Sequence, residues 1–590
     1  MPQPLSRAPW AGEAILYRRS FLVLLLFAAC FCGGPAFARP ERQMIERSPG
    51  WADSDRDAPL GSLFSLRHHG GFRFRSGLYW RGDLGTRGTS GIPSSPLESR
   101  VNEGFEGGWA DSQLLAGANI RLRYQPEMLI GERIRVHAII DALDNLVMGS
   151  TPAFGPRADA LFMRPAAGGQ APPTSGINSF KDSVHVKALW GELLLFDAIT
   201  IRLGRIPDQW GLGILRNAGL GVDDDFGAAV DRAEFMGSYA GYHLGFSWDF
   251  FYSGVTSASR AQPLGQPYGY TTADTIGQWI VFLESRPRRI EELRAREHDL
   301  FERRRPVFDW GVMSVFRTQE TTSERQDRSA PLEDACLLGP DSMLDIAFDC
   351  IRLAHRDAFL WYPDIWARLL WAPRPGHLLQ IEIELAMAYG HVSSSELLRR
   401  ADTSKDILQG GGVLRAQYHI GPTEMGLEFG FATGDDTGGV FGIQDGSEVV
   451  DVESPSAQSF QVRNRRLTNF KFARAYTIDY LLYREVIGAV TNSWYLKPWA
   501  QHTFYSKGDL SLGVRLDLLF ARAFVAAGTP GQSLNLGFEA DVTGFLRLAE
   551  SFDARLIVAT LVPFNGLDNA DLGLAAAPSV SVQARLFWNF

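Results

Sequence analysis

The sequence predicts an all-β protein, a transmembrane antiparallel up-and-down β-barrel of about eighteen strands. Three observations predict it. Apolar and polar residues alternate with a period of two in many segments, as in strands with one apolar and one polar face. The apolar faces often contain five or six positions, which suits the roughly 9 to 11 residues of a tilted membrane-spanning strand. The chain also ends in an alternating strand, whose last residue is Phe590.

The composition agrees with this fold. Of the 590 residues, 45% are hydrophobic and 12% aromatic, and such fractions exclude a disordered chain. The 58 Lys and Arg residues and 67 Asp and Glu residues give a formal net charge of −9. This balance lacks the basic surface that nucleic-acid binding needs, so no nucleic acid is expected as a partner.

Residues 1–38 are predicted to be a signal peptide. Three arginines precede the apolar run at residues 21–32, and a small-x-small cleavage site follows at Ala36 to Ala38. The run is shorter than the roughly twenty residues that a membrane-spanning helix needs. A lipoprotein signal ending at Cys30 is the alternative.

Two regions are expected after the signal peptide. Residues 39–69 are polar and are predicted to be a periplasmic N-terminal lead-in. Residues 70–590 are predicted to form the outer-membrane barrel with long extracellular loops.

The first three predicted strands, at residues 71–84, 113–124 and 133–141, turn many arginines to one face. These arginines are Arg73, Arg75, Arg81, Arg121, Arg123, Arg133 and Arg135. Asp83 and Asp141 share these polar faces and could neutralise some of the arginines in ion pairs.

The same alternation recurs along the chain. The clearer segments are residues 244–252, 308–317, 378–389, 425–431, 510–520, 534–542, 552–558 and 580–590. The weaker ones are residues 184–196, 199–203, 230–236, 278–284, 364–371, 411–418, 469–473 and 494–504. Because bacterial barrels have an even number of strands, these nineteen candidates predict eighteen strands, with sixteen as the alternative.

A membrane barrel is favoured over a soluble sandwich. Charged residues recur on the polar faces, and Trp and Tyr recur near strand ends, as at Trp80 and Trp588, where a membrane barrel has its aromatic girdles. The final strand resembles the C-terminal strand of outer-membrane barrels. This resemblance implies that the barrel assembly machinery recognises Phe590; an edge strand of a secreted sandwich is the alternative.

The long irregular stretches are predicted to be loops. They are residues 145–182, 268–275, 318–359 and 434–466. Residues 286–305 instead have helical propensity and opposite charges four residues apart, so a short solvated helix is expected, with a docking site for a partner as the alternative.

Basic residues are concentrated on some predicted strands and acidic residues on others, which predicts a lumen with one basic and one acidic side. In a closed barrel the last strand lies beside the first, so Arg585 joins the arginines of the first three strands in a basic arc. Acidic residues of later strands are expected across the lumen, and they are Glu382, Glu384, Glu424 and Glu428. Facing arcs of opposite charge orient ions and polar solutes in a water-filled constriction. The strands from residue 510 onward are mixed in charge.

Two cysteines remain after signal-peptide removal, Cys336 and Cys350. An exported protein meets an oxidising compartment, so we expect a disulfide that closes a loop. Two buried free thiols are the alternative. The sequence has none of the common catalytic or nucleotide-binding motifs and no His pair at metal-ligand spacing, so no enzyme activity, cofactor or metal is predicted.

One stretch resembles a known family. Residues 201–205 (IRLGR) and 207–211 (PDQWG) look like an element of bacterial outer-membrane porins of the alginate-export and carbohydrate-porin type, and residues 427–436 are similar to a second such element. The resemblance implies that Arg202 and Arg205 face the lumen. Arg205 paired with Asp208 at a turn is the alternative, and Asp223 to Asp225 could bind calcium or be solvated.

The function expected from these observations is that of a porin in the bacterial cell outer membrane. It would let small hydrophilic solutes, anionic or sugar-like ones included, diffuse passively through a charged lumen. Outer-membrane lipid and such a solute are the expected partners, and the oligomeric state stays open. A surface binding or adhesion protein and a barrel enzyme are the alternatives.

Overall fold

The computed structural model describes residues 64–82, 84–86, 114–131, 133–147, 184–196, 198–251, 276–288, 290–325, 351–393, 404–435, 466–549, 551–570 and 573–590. The predicted signal peptide and both cysteines, Cys336 and Cys350, lie outside these residues, so those interpretations stay predictions. Within the described part of the chain, no helix is both long enough and apolar enough to cross a membrane.

Nineteen strands account for most of the described residues. They are β1 (Phe64–Trp80), β2 (Leu114–Ile130), β3 (Ile134–Val147), β4 (Val184–Leu195), β5 (Ile199–Pro207), β6 (Ala229–Tyr239), β7 (Tyr242–Phe251), β8 (Gly277–Ser285), β9 (Val307–Arg325), β10 (Ile351–Trp371), β11 (His377–Val392), β12 (Lys405–Ile420), β13 (Thr423–Ala432), β14 (Arg466–Leu467), β15 (Ser493–Lys507), β16 (Leu510–Ala523), β17 (Asn535–Leu548), β18 (Phe552–Pro563) and β19 (Ser579–Asn589). The helical pieces are α1 (Ile290–Glu297), π-helical turns at His298–Glu302 and Leu482–Ile487, and 3₁₀ turns at Ala526–Gly528 and Asn565–Leu567.

Eighteen of these strands close into an antiparallel barrel. β19 closes it against β1, with Phe72 opposite Trp588. Phe590 continues this pairing, because its N–H and carbonyl bond to Gly70 at 3.0 and 2.9 Å. The short β14 only adds a parallel pairing to β12. The predicted fold class and strand number are confirmed.

The outer face of the barrel is apolar. Trp248 of β7 and Leu516 of β16 are each 42% exposed. The residues that follow them, Asp249 and Asp517, are only 0% and 5% exposed, because they point into the barrel. In a bilayer only helices and closed barrels satisfy all their backbone hydrogen bonds. This exterior is that of a membrane-spanning barrel of the bacterial outer-membrane type.

Several boundaries differ from the predicted ones. β1 begins at Phe64, before residue 70, and β9 and β10 extend well into the predicted loop at residues 318–359. Paired strands keep their backbone hydrogen bonds beyond the membrane, where neither face has to be apolar, so alternation underestimates their length. Residues 469–473, the nineteenth candidate, do not form a strand of the barrel.

The connections differ between the two ends of the barrel. Tight turns join the strands at one end, as at residues 240–241 and 508–509. The exception at that end is the connection from β8 to β9, which contains α1, so the predicted short helix is confirmed. Leu300 of this connection is 1% exposed and packs with Leu370 and Leu378 of the barrel wall.

Candidate functional site

Two connections from the other end of the barrel fold into its interior. The first inward segment is residues 208–228, between β5 and β6, and the second inward segment is residues 468–492, before β15. Ile214 of the first and Leu482 of the second are both 0% exposed although neither belongs to a strand. The two segments therefore occupy the lumen and determine what space the barrel leaves open.

The first inward segment is fixed to β10 and β11 where it begins. The Nε1–H of Trp210 donates to Asp364 at 3.2 Å, and the backbone N–H of Gly213 donates to Glu384 at 2.9 Å. Gly211 lies between them with φ +51°, and a Cβ atom there would come within 2.6 Å of the Glu384 carboxylate. A glycine at this position thus lets the backbone approach the wall.

The predicted basic arc holds the far end of the same segment. Arg75 makes a bidentate ion pair with Asp225 at 2.7 and 2.8 Å. Arg121 donates to the backbone carbonyls of Asp224 and Val222 at 2.6 and 2.8 Å. Arg75 and Arg121 of the arc therefore face the lumen, but the first inward segment covers them.

The Asp225 carboxylate is strongly stabilised in its ionised form by the arginines beside it. Burial alone would raise the pKa of its carboxyl group, but Arg75 and Arg73 outweigh burial, so the pKa lies below its ordinary value. Asp223 is also ionised by its neighbours, since Arg585 and Arg484 lower its pKa against the effect of burial. These aspartates serve as counter-ions to arginines, which neither the calcium nor the solvated-loop interpretation anticipated.

Ion pairs also fill the lumen beside β2 to β7. Arg123 binds Asp141 at 2.7 Å, as the sequence allowed. Further pairs of this network include Arg135 with Glu192, Arg202 with Glu192 and Glu234, and Arg232 with Asp208 and Asp249. Arg202 is only 6% exposed, so it lies inside the barrel but does not face open water.

The four acidic residues predicted across the lumen lie on the inward faces of β11 and β13. Glu382 accepts a hydrogen bond from Gln380 at 2.8 Å. Glu428 is paired with Arg415 at 2.7 Å, and Glu424 lies opposite Gln501 of β15. Glu384 is covered by the first inward segment, as described above.

Three predicted lumen residues lie elsewhere. Arg205 is three positions from Arg202 in an uninterrupted strand, so it lies on the outer face, where it pairs with Asp231 at 2.8 Å. Arg81 lies in the turn after β1, with its guanidinium 4.4 Å from the ring centroid of Trp80. Arg133 is exposed in the turn before β3. Side chains alternate between the lumen and the outer face only within a strand, so the pattern does not place Arg81 and Arg133, which lie in turns.

The second inward segment is fixed by carboxylates that accept backbone N–H groups. Glu539 of β17 accepts from Tyr480, Leu481 and Leu482 at 3.0, 2.9 and 2.7 Å. Asp479 of the segment itself accepts from the N–H groups of Tyr483 and Arg484 at 2.7 and 2.9 Å. The Glu539 bonds hold residues 480–482 against the barrel wall, and the Asp479 bonds fix the conformation of residues 479–484.

Apolar contacts add to these bonds. The inward faces of β12 and β16 to β18 carry apolar residues at one end of the lumen, among them Val413, Leu519, Ala521 and Leu561. Each of these four is at most 2% exposed, and they share one apolar cluster with Leu482 and Ile487 of the second inward segment. This part of the inner wall is therefore apolar, and the second inward segment covers it.

A cavity of about 340 Å³ remains between the second inward segment and the inward faces of β15 to β18. Its charged lining residues are Asp223, Asp479, Arg484, Lys497, Arg515, Asp517, Asp541, Arg547 and Arg555. Both signs are present in similar number, so the exposure of each side chain decides the charge that a solute meets.

Three arginines on neighbouring strands are the most exposed charges of this wall. The side chains of Arg515, Arg547 and Arg555 are 31%, 42% and 30% exposed. Asp517 is only 6% exposed and Asp223 20%. The solvent-accessible basic row thus lies on β16 to β18, where the sequence indicated only mixed charge, and not on β1 to β3.

Each of these arginines lies over an aromatic ring. The guanidinium carbon is 4.1 Å from the ring centroid of Trp499 for Arg515, 4.5 Å from Phe545 for Arg547 and 5.2 Å from Phe587 for Arg555. Such stacking orients a guanidinium while its edge stays open to water. The sequence contained a sign of this stacking, because Phe545 and Phe587 interrupt faces that are otherwise polar.

Comparison with known proteins gives likeness in structure alone. The sequence matches no protein-family model and no curated protein. Among solved structures, OpdL of Pseudomonas aeruginosa is 10% identical with a TM-score of 0.42, over 89% of this chain and 98% of that chain. OccK9 (OpdG) of the same organism is 11% identical with a TM-score of 0.43, over 89% and 98%. A BenF-like porin from Pseudomonas fluorescens Pf-5 is 8% identical with a TM-score of 0.43, over the same shares.

Proposed function

We propose that this barrel is an outer-membrane channel through which small hydrophilic solutes diffuse passively, with a preference for anionic ones. The observation that carries the proposal is the row of Arg515, Arg547 and Arg555 on the wall of the cavity of about 340 Å³. A cavity of this size admits a small molecule rather than a polymer.

The preference for anions follows from exposure. Among the acidic residues of the wall, Asp517 is bound by Arg515 at 2.7 Å and by Lys497 at 3.1 Å, and Asp541 is only 2% exposed. Arg515 uses its Nε and Nη2 on Asp517, and Arg555 uses the same two nitrogens on Asp553, which also lies 3.6 Å from Arg547. The three side chains are still 31%, 42% and 30% exposed, so their remaining N–H groups would form charge-assisted hydrogen bonds with an anionic solute. A ring of fixed positive charge at a narrow point attracts anions and repels cations.

Two partners of the barrel are also proposed, the membrane lipid and the barrel assembly machinery. The apolar exterior would contact outer-membrane lipid, and the C-terminal strand ending at Phe590 would be read by the barrel assembly machinery during insertion.

Planar-bilayer recording of the refolded protein tests the channel. We expect stepwise currents, with a reversal potential in a KCl gradient that indicates anion preference. The triple variant Arg515→Gln, Arg547→Gln and Arg555→Gln should lose that preference, whereas Arg522→Gln, at an exposed position on β16 outside the cavity wall, should keep it. Absence of stepwise current would refute the channel itself, and unchanged preference in the triple variant would refute the role of the row.

Liposome swelling then tests the solute class. Small carboxylates and neutral sugars of similar size are compared in the same vesicles. Faster entry of the carboxylates is expected for the native protein, and equal rates for both classes would contradict the anionic preference while leaving the channel intact.

A further inference from the structure

Each inward segment is held to the wall by a buried glutamate that accepts backbone N–H groups. Glu384 of β11 accepts from Leu212 and Gly213 of the first inward segment, and Glu539 of β17 accepts from Tyr480 to Leu482 of the second. Both glutamates are 0% exposed. The two attachments lie on different parts of the barrel and use the same chemistry.

A second carboxyl group lies beside each glutamate. Asp364 is within hydrogen-bonding reach of Glu384, and Asp541 is within reach of Glu539. Asp364 is 0% exposed and Asp541 2%. Two ionised carboxylates have only acceptors and cannot bond to each other, so a hydrogen bond within either pair requires one proton.

Unsatisfied oxygens indicate where that proton lies. Among the described residues, Asp364 Oδ2, Glu384 Oε1 and Asp541 Oδ1 are buried without a hydrogen-bond partner. A proton shared within each pair would turn one of its oxygens into a donor and thereby satisfy a buried group that otherwise costs free energy.

The surrounding charges do not replace the proton. Arg216 of the first inward segment and Tyr476 of the second face the pair of Asp364 and Glu384. The Arg216 guanidinium is bound to Asp208 instead. Around Asp541 and Glu539 lie two more acids, Asp479 and Asp517, and the Lys497 ammonium, which binds Asp517 at 3.1 Å. In the described part of the chain, no ion pair includes a member of either carboxyl pair.

We propose that Glu384 and Glu539 are positioning residues of the pore, each kept in place by one proton shared with Asp364 or Asp541. When that proton is lost at high pH, two neighbouring negative charges repel each other inside the barrel. The glutamate then leaves the backbone N–H groups that it holds, and the inward segment moves away from the wall. The proposal rests on the channel function, because these residues would determine how wide the channel is.

The test compares the pH dependence of the native chain with that of Asp364→Asn and Asp541→Asn, alone and together. An amide donates a hydrogen bond at every pH, so it takes over the role of the shared proton. Single-channel conductance of the native protein should rise between pH 5 and pH 10 as the proton is lost, and the double variant should lose this rise. Asp509→Asn, in the exposed turn between β15 and β16, should keep it.

A second measurement does not depend on conduction. The indole of Trp210 bonds to Asp364, so its fluorescence, obtained as the difference from Trp210→Phe, should change with pH in the native chain and stay constant in Asp364→Asn. Without any current the channel function fails, while this fluorescence still tests the shared proton. The same pH profile of fluorescence and of conductance in the native chain and in the variants would overturn the proposal.

Discussion

Arg484 in the second inward segment donates to Asp223 in the first, with 3.1 Å between Nη1 and Oδ2. Asp223 also contacts Arg585 of β19, so one carboxylate joins both segments to the barrel wall. Their backbones meet as well, because the N–H of Ala473 donates to the carbonyl of Ile214 at 2.7 Å. The two inward segments are therefore one connected structure, and changes in one segment should affect the other.

A double-mutant cycle on Arg484→Gln and Asp223→Asn tests this connection. Because the two side chains are in contact, the cycle should give a coupling free energy of about 0.5–3 kcal/mol for unfolding in urea. Each single variant should also increase the current noise of the channel, since a loosened segment samples more positions. Arg303→Gln, in an exposed pair with Asp299 far from the segments, is the control. Additive effects would contradict the coupling.

Tight packing across β13 and β15 gives a second prediction. Gly430 lies opposite Tyr495, and a Cβ atom at residue 430 would overlap the tyrosine ring. Tyr495 is 0% exposed and donates to Glu428 at 2.7 Å, so its ring has no room to move aside. Gly430→Ala should therefore destabilise the barrel by about 1–3 kcal/mol.

The matched control for that substitution is Gly237→Ala on β6. A Cβ atom at residue 237 would meet nothing within 4 Å. The unfolding free energy of the Gly237→Ala variant should therefore stay within about 0.5 kcal/mol of the native value. Equal destabilisation of the two variants would show that loss of glycine, and not overlap with Tyr495, is responsible.

The sequence predicted the barrel because alternation is a local property. The pairing of β19 with β1 follows from two alternating segments that are both visible in the sequence, and the structure pairs them as expected. The prediction that Arg205 faces the lumen was wrong. Its assignment came from resemblance, whereas the three-residue spacing from Arg202 already puts the two side chains on opposite faces of a strand.

The constriction could not be predicted in the same way, because it depends on contacts between distant residues. Alternation identifies Arg75 and Arg515 equally well as inward residues. Only the fold shows that Asp225, which follows Arg75 by 150 positions, pairs with Arg75 and covers it, while Arg515 stays 31% exposed although it is paired with Asp517. The apolar inward residues Ala559 and Leu561, both 0% exposed, are likewise explained only by the second inward segment that covers this end of the lumen.

The apolar exterior gives a third prediction, a dependence on depth. Leu516→Arg, near the middle of the outward face of β16, should destabilise the folded protein in lipid by about 2–4 kcal/mol. The same change at Leu510, the first residue of β16 at the tight-turn end, should cost only about 0–1 kcal/mol because the arginine there reaches the interface. Reversible unfolding in liposomes measures both, and equal costs would contradict the placement of this strand in the membrane.

The last prediction concerns Asp479, which lies in the second inward segment and lines the cavity. Burial raises the pKa of its carboxyl group to about 6, although the N–H groups of Tyr483 and Arg484 act to lower it. The carboxyl group is therefore mostly neutral at pH 5 and mostly ionised at pH 7. The cavity lined by Asp479 and Arg515 gains a negative charge over this interval, and the anion preference of the channel should decrease.

The same titration affects stability with a defined sign. The pKa of Asp479 is higher in the folded chain than the ordinary value of about 4 in an unfolded one, so the folded state binds the proton more tightly. Its contribution to stability is fully present below about pH 4 and is lost as the pH rises through 6. Asp479→Asn removes the titration, so the difference between the two proteins isolates it. Reversal potentials in a KCl gradient at pH 5 and pH 7 should shift toward cation preference in the native protein and less in the variant; equal shifts would assign the change to another group.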